Sequence, residues 1–207
     1  MIQLESGKLF TSEIPPGRSR DSDPIDIGVF PLTKNVWSQL SGDDFLEIVD
    51  IDVNEKAEDP QRLYIGLGFP IEGAIYGYLE PYLKFPGIST MGKSKPEVFE
   101  ELKGFSPLTH IVVEYDQDWM AIGDKYDVPP KPEGLSGGAL FRFDSLTKPD
   151  VKDFLVGILI EHRRQQRVIV ATQMPFVLET LRKGFPETDP LLPRSQRVRI
   201  KSQIKPA

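Results

Sequence analysis

Residues 134–141 read GLSGGALF, and the interpretation of the rest of the chain depends on this stretch. Ser136 has glycine close on both sides, so the backbone can bend sharply there with little side-chain bulk to block access to the hydroxyl. The amide groups of Gly134 and Ser136 can point into one concavity and stabilise a developing oxyanion. The apolar residues that follow predict a strand. Taken alone, the pentapeptide fits a glycine-rich turn or a simple anion-binding nest as well as it fits a catalytic loop.

The apolar runs elsewhere are short, rich in Val and Ile, and separated by clusters of Gly, Pro, Asn and Asp. This punctuation predicts an all-β chain with long loops. Two helices are expected. One spans 96–103, with Ser94 as its N-cap and Gly104 as its stop, and the other spans 175–183. The predicted strands are 8–14, 25–32, 62–68, 110–115, 139–143, 154–160 and 167–171.

Composition excludes several functional classes. Hydrophobic residues make up 39% of the 207 residues, which is enough for a packed core. Acidic residues outnumber basic ones, 31 to 25, and a pI near 5.1 argues against a nucleic-acid binder. The lack of cysteine favours a cytoplasmic setting.

No apolar run is long enough to span a membrane, and the first residues do not form a signal peptide, so no membrane partner is expected. The histidines and acids show no metal-ligand spacing and no phosphate loop is present, so we expect neither metal nor cofactor.

The GLSGG loop before an apolar strand resembles the nucleophile loop of the trypsin-like (chymotrypsin-fold) serine peptidases. Three further matches follow in order along the chain. Residues 23–30, DPIDIGVF, are similar to the family's Asp-Ile-Ala-Val segment, and this matches Asp26 to the triad aspartate. Residues 62–70 resemble the early strand of the second barrel, and residues 154–160 resemble the strand beyond the nucleophile. Leu135 before the serine is closer to the small bacterial and HtrA-like branches.

The resemblance implies a double β-barrel whose second barrel is complete, whose first barrel is truncated, and which ends in a helix. Its divisions are a first-barrel remnant at 1–40, the second barrel and helix at 41–184, and a flexible basic tail at 185–207. Ser136 is then the nucleophile, with the amides of Gly134 and Ser136 as the oxyanion hole. The partner is a polypeptide substrate or another protein. The substrate-binding residues implied are Pro130, Ile160, Glu161, His162 and Ala171. Neither Pro130 nor Ala171 is charged, so the resemblance favours an apolar or small substrate side chain.

The general base that the family needs is missing before Asp26, where no histidine stands. We interpret His110 as structural, and His162 as better placed to touch substrate than to activate Ser136. One hypothesis is a piece of a serine endopeptidase whose earlier residues supply the histidine. Another is a non-catalytic binding module with 72–104 as its partner surface. A base supplied by His162 or by a partner chain is a third.

The loop also satisfies Gly-Xaa-Ser-Xaa-Gly, the nucleophile elbow of α/β-hydrolases, with Asp150 or Asp153 and then His162 in that family's order. An elbow requires a helix directly after the serine. Residues 139–143, ALFRF, instead predict a strand, which argues against this alternative.

Overall fold

The computed structural model describes residues 27, 46–55, 59–68, 88–115, 132–143 and 153–194, with short paired segments at 2–3, 9–10, 75–76, 83–84, 120–122 and 125–127. The strands, in chain order, are β1 (Ile2–Gln3), β2 (Leu9–Phe10), β3 (Leu63–Gly68), β4 (Ile75–Tyr76), β5 (Leu83–Lys84), β6 (Ile88–Lys93), β7 (His110–Glu114), β8 (Met120–Ile122), β9 (Lys125–Asp127), β10 (Ala139–Phe143), β11 (Phe154–Arg163) and β12 (Val168–Gln173). One α-helix, α1 (Met174–Gly184), follows β12.

Six strands form one antiparallel sheet in the order β6-β3-β10-β11-β12-β7. The sheet curls, because its two outer strands meet at one end. There Ser94 bridges to Val113, and the Lys95 amide donates to the Val112 carbonyl at 2.9 Å. The result is a half-barrel, and the prediction of a mostly β chain is confirmed in this form.

The hydrophobic core lies on both faces of the central strands. One cluster joins residues of β3, β7, β10, β11 and β12 around the fully buried Tyr64 and Leu140. The other lies where α1 covers the sheet, and it contains Met174, Val177 and Leu178. Every residue of β12 is buried, which explains its continuous apolar run VIVA in place of an alternating pattern.

Helix α1 confirms the prediction for 175–183 to within one residue at each end. Pro175 fits the first turn, since its missing amide hydrogen has no partner there anyway. Arg182 in the last turn contacts Asp189 Oδ1 through Nε at 3.0 Å and donates to the Leu192 carbonyl at 3.3 Å. These contacts hold a 3-10 helix, Pro186–Leu191, against α1, so the first part of the predicted tail is folded.

The helix predicted over 96–103 is shorter than expected, is of the 3-10 type, and does not have Ser94 as its N-cap. The structure has a 3-10 helix over Pro96–Glu100, and its N-cap residue is Lys95 without a side-chain cap bond. Ser94 belongs to the bridge between the outer strands, and its amide donates to the Arg62 carbonyl at 3.0 Å. The bridge between the outer strands therefore uses Ser94, the residue that the capping pattern assigned to the start of the helix.

Residues 46–55 are attached to the sheet by backbone hydrogen bonds and by ion pairs. Ile51 forms a parallel bridge with Leu155, and the Asp52 amide donates to the Leu155 carbonyl at 3.0 Å. Arg142 of β10 contacts Asp52, and its Nη1 also donates to Glu55 Oε2 at 2.8 Å. This segment is thus part of the folded unit.

Several predictions fall on residues outside the described ranges. The first-barrel remnant 1–40 is represented only by the paired β1 and β2 and by Ile27, which is buried against Val53 and other apolar residues. Asp26 and Pro130 also lie outside the described residues, as does most of the predicted strand 25–32.

Candidate functional site

The GLSGG loop is a tight double turn that presents Ser136 to solvent. The Leu135 amide donates to the Pro132 carbonyl at 3.0 Å, and the Gly138 amide donates to the Leu135 carbonyl at 2.8 Å. Gly134 and Gly137 have φ angles of 96° and 87°, in the left-handed region that glycine adopts without steric cost. The loop therefore turns twice within four residues.

The loop is held in place from both of its flanks. The side chain of Leu135 is buried in the core cluster, directly before the exposed serine. On the other flank, the Gly137 amide donates to the Leu159 carbonyl, and the Leu159 amide donates to the Gly138 carbonyl, both at 2.8 Å. These two hydrogen bonds attach the loop to β11, so the sheet fixes the position of Ser136.

The amides of Gly134 and Ser136 donate to no acceptor within the described part of the chain. The other amides of the loop are used, at Leu135, Gly137 and Gly138. Unused amides of this kind can stabilise a partly negative oxygen, either a carbonyl developing into an oxyanion or a carboxylate, when they point to the same place.

Ser136 lies on the wall of a cavity of about 260 Å³. The loop forms one side of this cavity. Strand β11 forms another side from Leu159 onward, and β12 contributes Ile169. The lining residues are Pro132, Glu133, Gly134, Leu135, Ser136, Leu159, Ile160, Glu161, His162 and Ile169.

His162 lines this cavity and is half-buried. Its ring meets the ring of Tyr115 edge-on, with centroids 5.3 Å apart and planes at 69°. Its Nε2 is buried and has no hydrogen-bond partner among the described residues. Burial lowers the pKa of His162 below its usual value, nearby Arg164 also lowers it, and the Glu133 carboxylate opposes both. The imidazole is therefore neutral at neutral pH.

Glu133 and Glu161 are the two carboxylates of the cavity. Glu161 forms an ion pair with Arg163 at 3.1 Å. Glu133 has no ion-pair partner within the described ranges. Burial raises the pKa of Tyr115, and the charge of Glu133 raises it further. At His162 the same charge acts against the lowering of the pKa by burial. The Glu133 carboxylate therefore acts on the same corner of the cavity as the imidazole.

The structure brings together five of the sequence-predicted site residues. Gly134, Ser136, Ile160, Glu161 and His162 all line the one cavity. Ala171, also predicted to bind substrate, does not line this cavity: it lies in the core with 1% of its surface exposed, and Ile169 is the β12 residue that reaches the cavity.

Sequence reasoning missed Glu133 and Leu159, which also line the cavity. The only available signal was position, because Glu133 directly precedes the loop. His110, which we interpret as structural, does not line the cavity. It is fully buried, and its Nδ1 lies 2.7 Å from Thr109 Oγ1.

No protein-family model and no curated protein match this chain. Within the described ranges, no three histidine or acidic side chains converge in a way that would hold a metal ion. In that same part of the chain, α1 and the 3-10 helices are all too short or too polar to cross a membrane.

Proposed function

We propose that this protein binds polypeptides at the Ser136 cavity as a serine-peptidase-like protein, with Ser136 as the nucleophile of peptide-bond hydrolysis. One observation carries the proposal. Ser136 is exposed on the wall of a cavity, and its own amide and that of Gly134 donate to no acceptor among the described residues. A nucleophile beside preformed oxyanion donors is the arrangement that acyl transfer requires.

The proposal extends to the fold. We take the six-stranded half-barrel as the second barrel of a trypsin-like double barrel, of the small bacterial or HtrA-like kind. The position of the loop supports this, because it directly precedes β10 in the sheet. The position of α1 directly after β12 supports it as well, since the family resemblance implies a closing helix there.

In the proposed reaction, Ser136 Oγ attacks the carbonyl carbon of the scissile bond while a base takes the hydroxyl proton. The carbonyl oxygen becomes an oxyanion and accepts hydrogen bonds from the amides of Gly134 and Ser136. Collapse of this intermediate breaks the C–N bond, and the base returns its proton to the leaving amine. Water then hydrolyses the acyl-enzyme, releasing the second product and restoring Ser136.

Neither described histidine is bonded to the nucleophile. His110 is fully buried beside Thr109, and the Nε2 of His162 is buried where the ring meets Tyr115. The reaction therefore needs a base other than these two as they stand. In the proposed mechanism, Asp26 orients that base, as the family resemblance implies.

A non-catalytic peptide-binding module is the second candidate, and one feature of β11 favours it. The β10–β11 pairing ends at Ala139 and Ile158, whereas the pairing of β11 with β12 continues to Arg163. Beyond Leu159, one edge of β11 has no strand partner in the described part of the chain. An extended peptide can add to such an edge through its backbone.

Labelling with a serine-directed phosphonate, followed by peptide mapping, distinguishes the candidates. The enzyme proposal expects a single adduct on Ser136 that is absent in Ser136→Ala. A parallel measurement of peptide binding by fluorescence anisotropy uses both proteins. Binding without labelling supports the module. If Ser136 is not labelled and no peptide binds, both candidates are wrong.

If labelling succeeds, Asp26→Asn provides a second test. The variant should label more slowly than wild type by on the order of 100-fold or more, because the base loses its orienting carboxylate. Unchanged labelling would remove Asp26 from the mechanism while leaving Ser136 in place.

A further inference from the structure

A group of apolar side chains stands exposed at the start of the segment 46–55. Seven large hydrophobic residues are exposed in the described part of the chain, and three of them, Leu46, Ile48 and Val49, lie within four consecutive positions. Their exposed fractions are 51%, 44% and 63%. Single exposed apolar residues are ordinary on a protein surface, whereas a contiguous group points to a binding surface. We call this group the 46–49 surface.

The turn that carries the 46–49 surface has a fixed shape. The Glu47 amide donates to Asp50 Oδ2 at 2.8 Å, and the Asp50 amide donates to the Glu47 carbonyl at 2.9 Å. Directly after the turn, Ile51 bridges to Leu155 of β11. Because hydrogen bonds close the turn and the sheet holds the residue that follows it, the apolar side chains stay at the surface.

The 46–49 surface is acidic as well as apolar. Glu47 is exposed and Asp50 is half-buried in the same turn. Residues 46–55 contain no lysine or arginine. An occupant that matches this surface must therefore offer apolar groups and positive charge side by side.

The C-terminal residues of the same chain have this composition. Residues 195–207 contain four basic residues and no acidic one, and Val198, Ile200 and Ile204 stand among the bases. Arginine and lysine have long aliphatic stems, so their charged heads can reach carboxylates while the stems cover neighbouring apolar surface. The segment is therefore complementary to the 46–49 surface both in charge and in apolar character.

The C-terminal segment leaves the folded unit from an anchored point. Arg182 of α1 donates to the Leu192 carbonyl at 3.3 Å, and Arg194 forms an ion pair with Asp189. Leu192 packs against the same apolar cluster as Ile51, which follows the 46–49 surface. An extended chain from 195 to 205 can span about 35 Å, which is comparable to the width of a domain of this size. So short a tether gives an effective concentration in the millimolar range, which favours docking within one molecule over docking between two.

We propose that the segment 195–205 docks on the 46–49 surface of the same molecule. Its bases face the carboxylates of the turn, and its apolar residues cover the exposed side chains. The docked segment acts as an internal ligand for a surface that is otherwise open to other proteins. This interaction does not involve the Ser136 cavity, so its test is independent of the test of the catalytic proposal.

Carbodiimide cross-linking of the full chain tests the proposal, because the reagent joins lysine amines only to carboxylates in contact with them. Unlabelled and isotope-labelled chains are mixed in equal amounts at low ionic strength and analysed by mass spectrometry. Lys201 or Lys205 should be joined to Glu47 or Asp50 within chains of one isotope, and high salt should lower the yield. Val49→Ser should lower the yield about fivefold through lost apolar contact. Leu108→Ser is the matched control, since Leu108 is also exposed, at 56%, and lies outside the 46–49 surface.

Limited digestion with trypsin provides a second readout, because the segment contains cleavage sites after Arg197, Arg199 and Lys201. Cleavage requires undocking, so the segment should be cut about fivefold more slowly in wild type and in Leu108→Ser than in Val49→Ser. Equal rates in the three proteins, or cross-links from the segment only to other carboxylates, would overturn the inference. Cross-links that join chains of different isotope would overturn it as well, because they would place the segment on a second copy.

Discussion

Tyr64 donates its hydroxyl hydrogen to Glu55 Oε1 at 2.9 Å, and both residues are withdrawn from solvent, with 0% and 3% of their surfaces exposed. The second oxygen of the same carboxylate accepts a hydrogen bond from Arg142 at 2.8 Å. Arg62 Nε lies 3.5 Å from Oε1. One buried carboxylate thus joins β3 and β10 to the segment 46–55.

Replacing Arg142 with methionine should destabilise the protein by about 3 kcal/mol. The change leaves Glu55 and Asp52 without their shared cation, and an unpaired buried charge costs more than the pair contributed. Urea denaturation measures the loss. Arg194→Gln, which breaks only the exposed pair with Asp189, should cost less than about 1 kcal/mol. Equal losses would show that the Arg142 cluster is not buried in solution.

Replacing Tyr64 with phenylalanine should cost about 1–3 kcal/mol at neutral pH, since the Glu55 carboxylate loses a donor. Burial first, and then the charge of Glu55, raise the pKa of Tyr64. The folded state therefore keeps this phenol protonated, and the contribution is present below the unfolded pKa of about 10 and lost as the pH rises above it. Wild type should lose stability between pH 9 and 11 more steeply than Tyr64→Phe. Parallel curves would contradict the burial of the hydroxyl.

Two alanine substitutions in the GLSGG loop should differ in severity. A Cβ at Gly138 would lie 2.4 Å from the Leu67 carbonyl oxygen and 2.8 Å from that of Leu135, so the backbone would have to move. At Gly137 a Cβ meets nothing within 4 Å, and only the φ of 87° opposes the change, at about 1–2 kcal/mol. Thermal unfolding and Ser136 labelling should both be more impaired in Gly138→Ala than in Gly137→Ala. The reverse order would mean that the loop is held differently from the structure described.

Acidification should weaken the fold through His162. Burial lowers its pKa in the folded state, so the unfolded chain binds a proton first as the pH falls below about 6.5. Stability is therefore lost between that pH and the lower folded pKa. The difference in unfolding free energy between wild type and His162→Gln should shift against wild type between pH 7.5 and pH 5. A difference that stays constant would place His162 in solvent.

The sequence by itself predicted the elements whose signals are local. Strands β3, β7 and β10 begin and end within one residue of the predicted ranges, because short Val- and Ile-rich or aromatic runs between glycines and prolines favour strands without help from distant residues. Helix α1 was found for the same reason, from its proline start and its spaced apolar residues. The GLSGG loop was also recognisable, since the glycines allow the turn that exposes Ser136.

Strand β6 was missed, because its sequence ISTMGK is short of apolar residues. Gly92 explains part of this. A Cβ there would lie 2.1 Å from the Glu114 carbonyl oxygen, so close packing of the outer strands requires glycine at a position where the local pattern argues against a strand.

The tertiary structure decided how the residues around Ser136 come together. The bond from the Gly137 amide to the Leu159 carbonyl brings the loop to β11, and this places Ile160, Glu161 and His162 around one cavity. Pairing between the outer strands removed Ser94 from the helix start that its residue type favoured. Local propensity acts over a few residues, whereas these contacts join residues far apart in the chain, and folding alone brings them together.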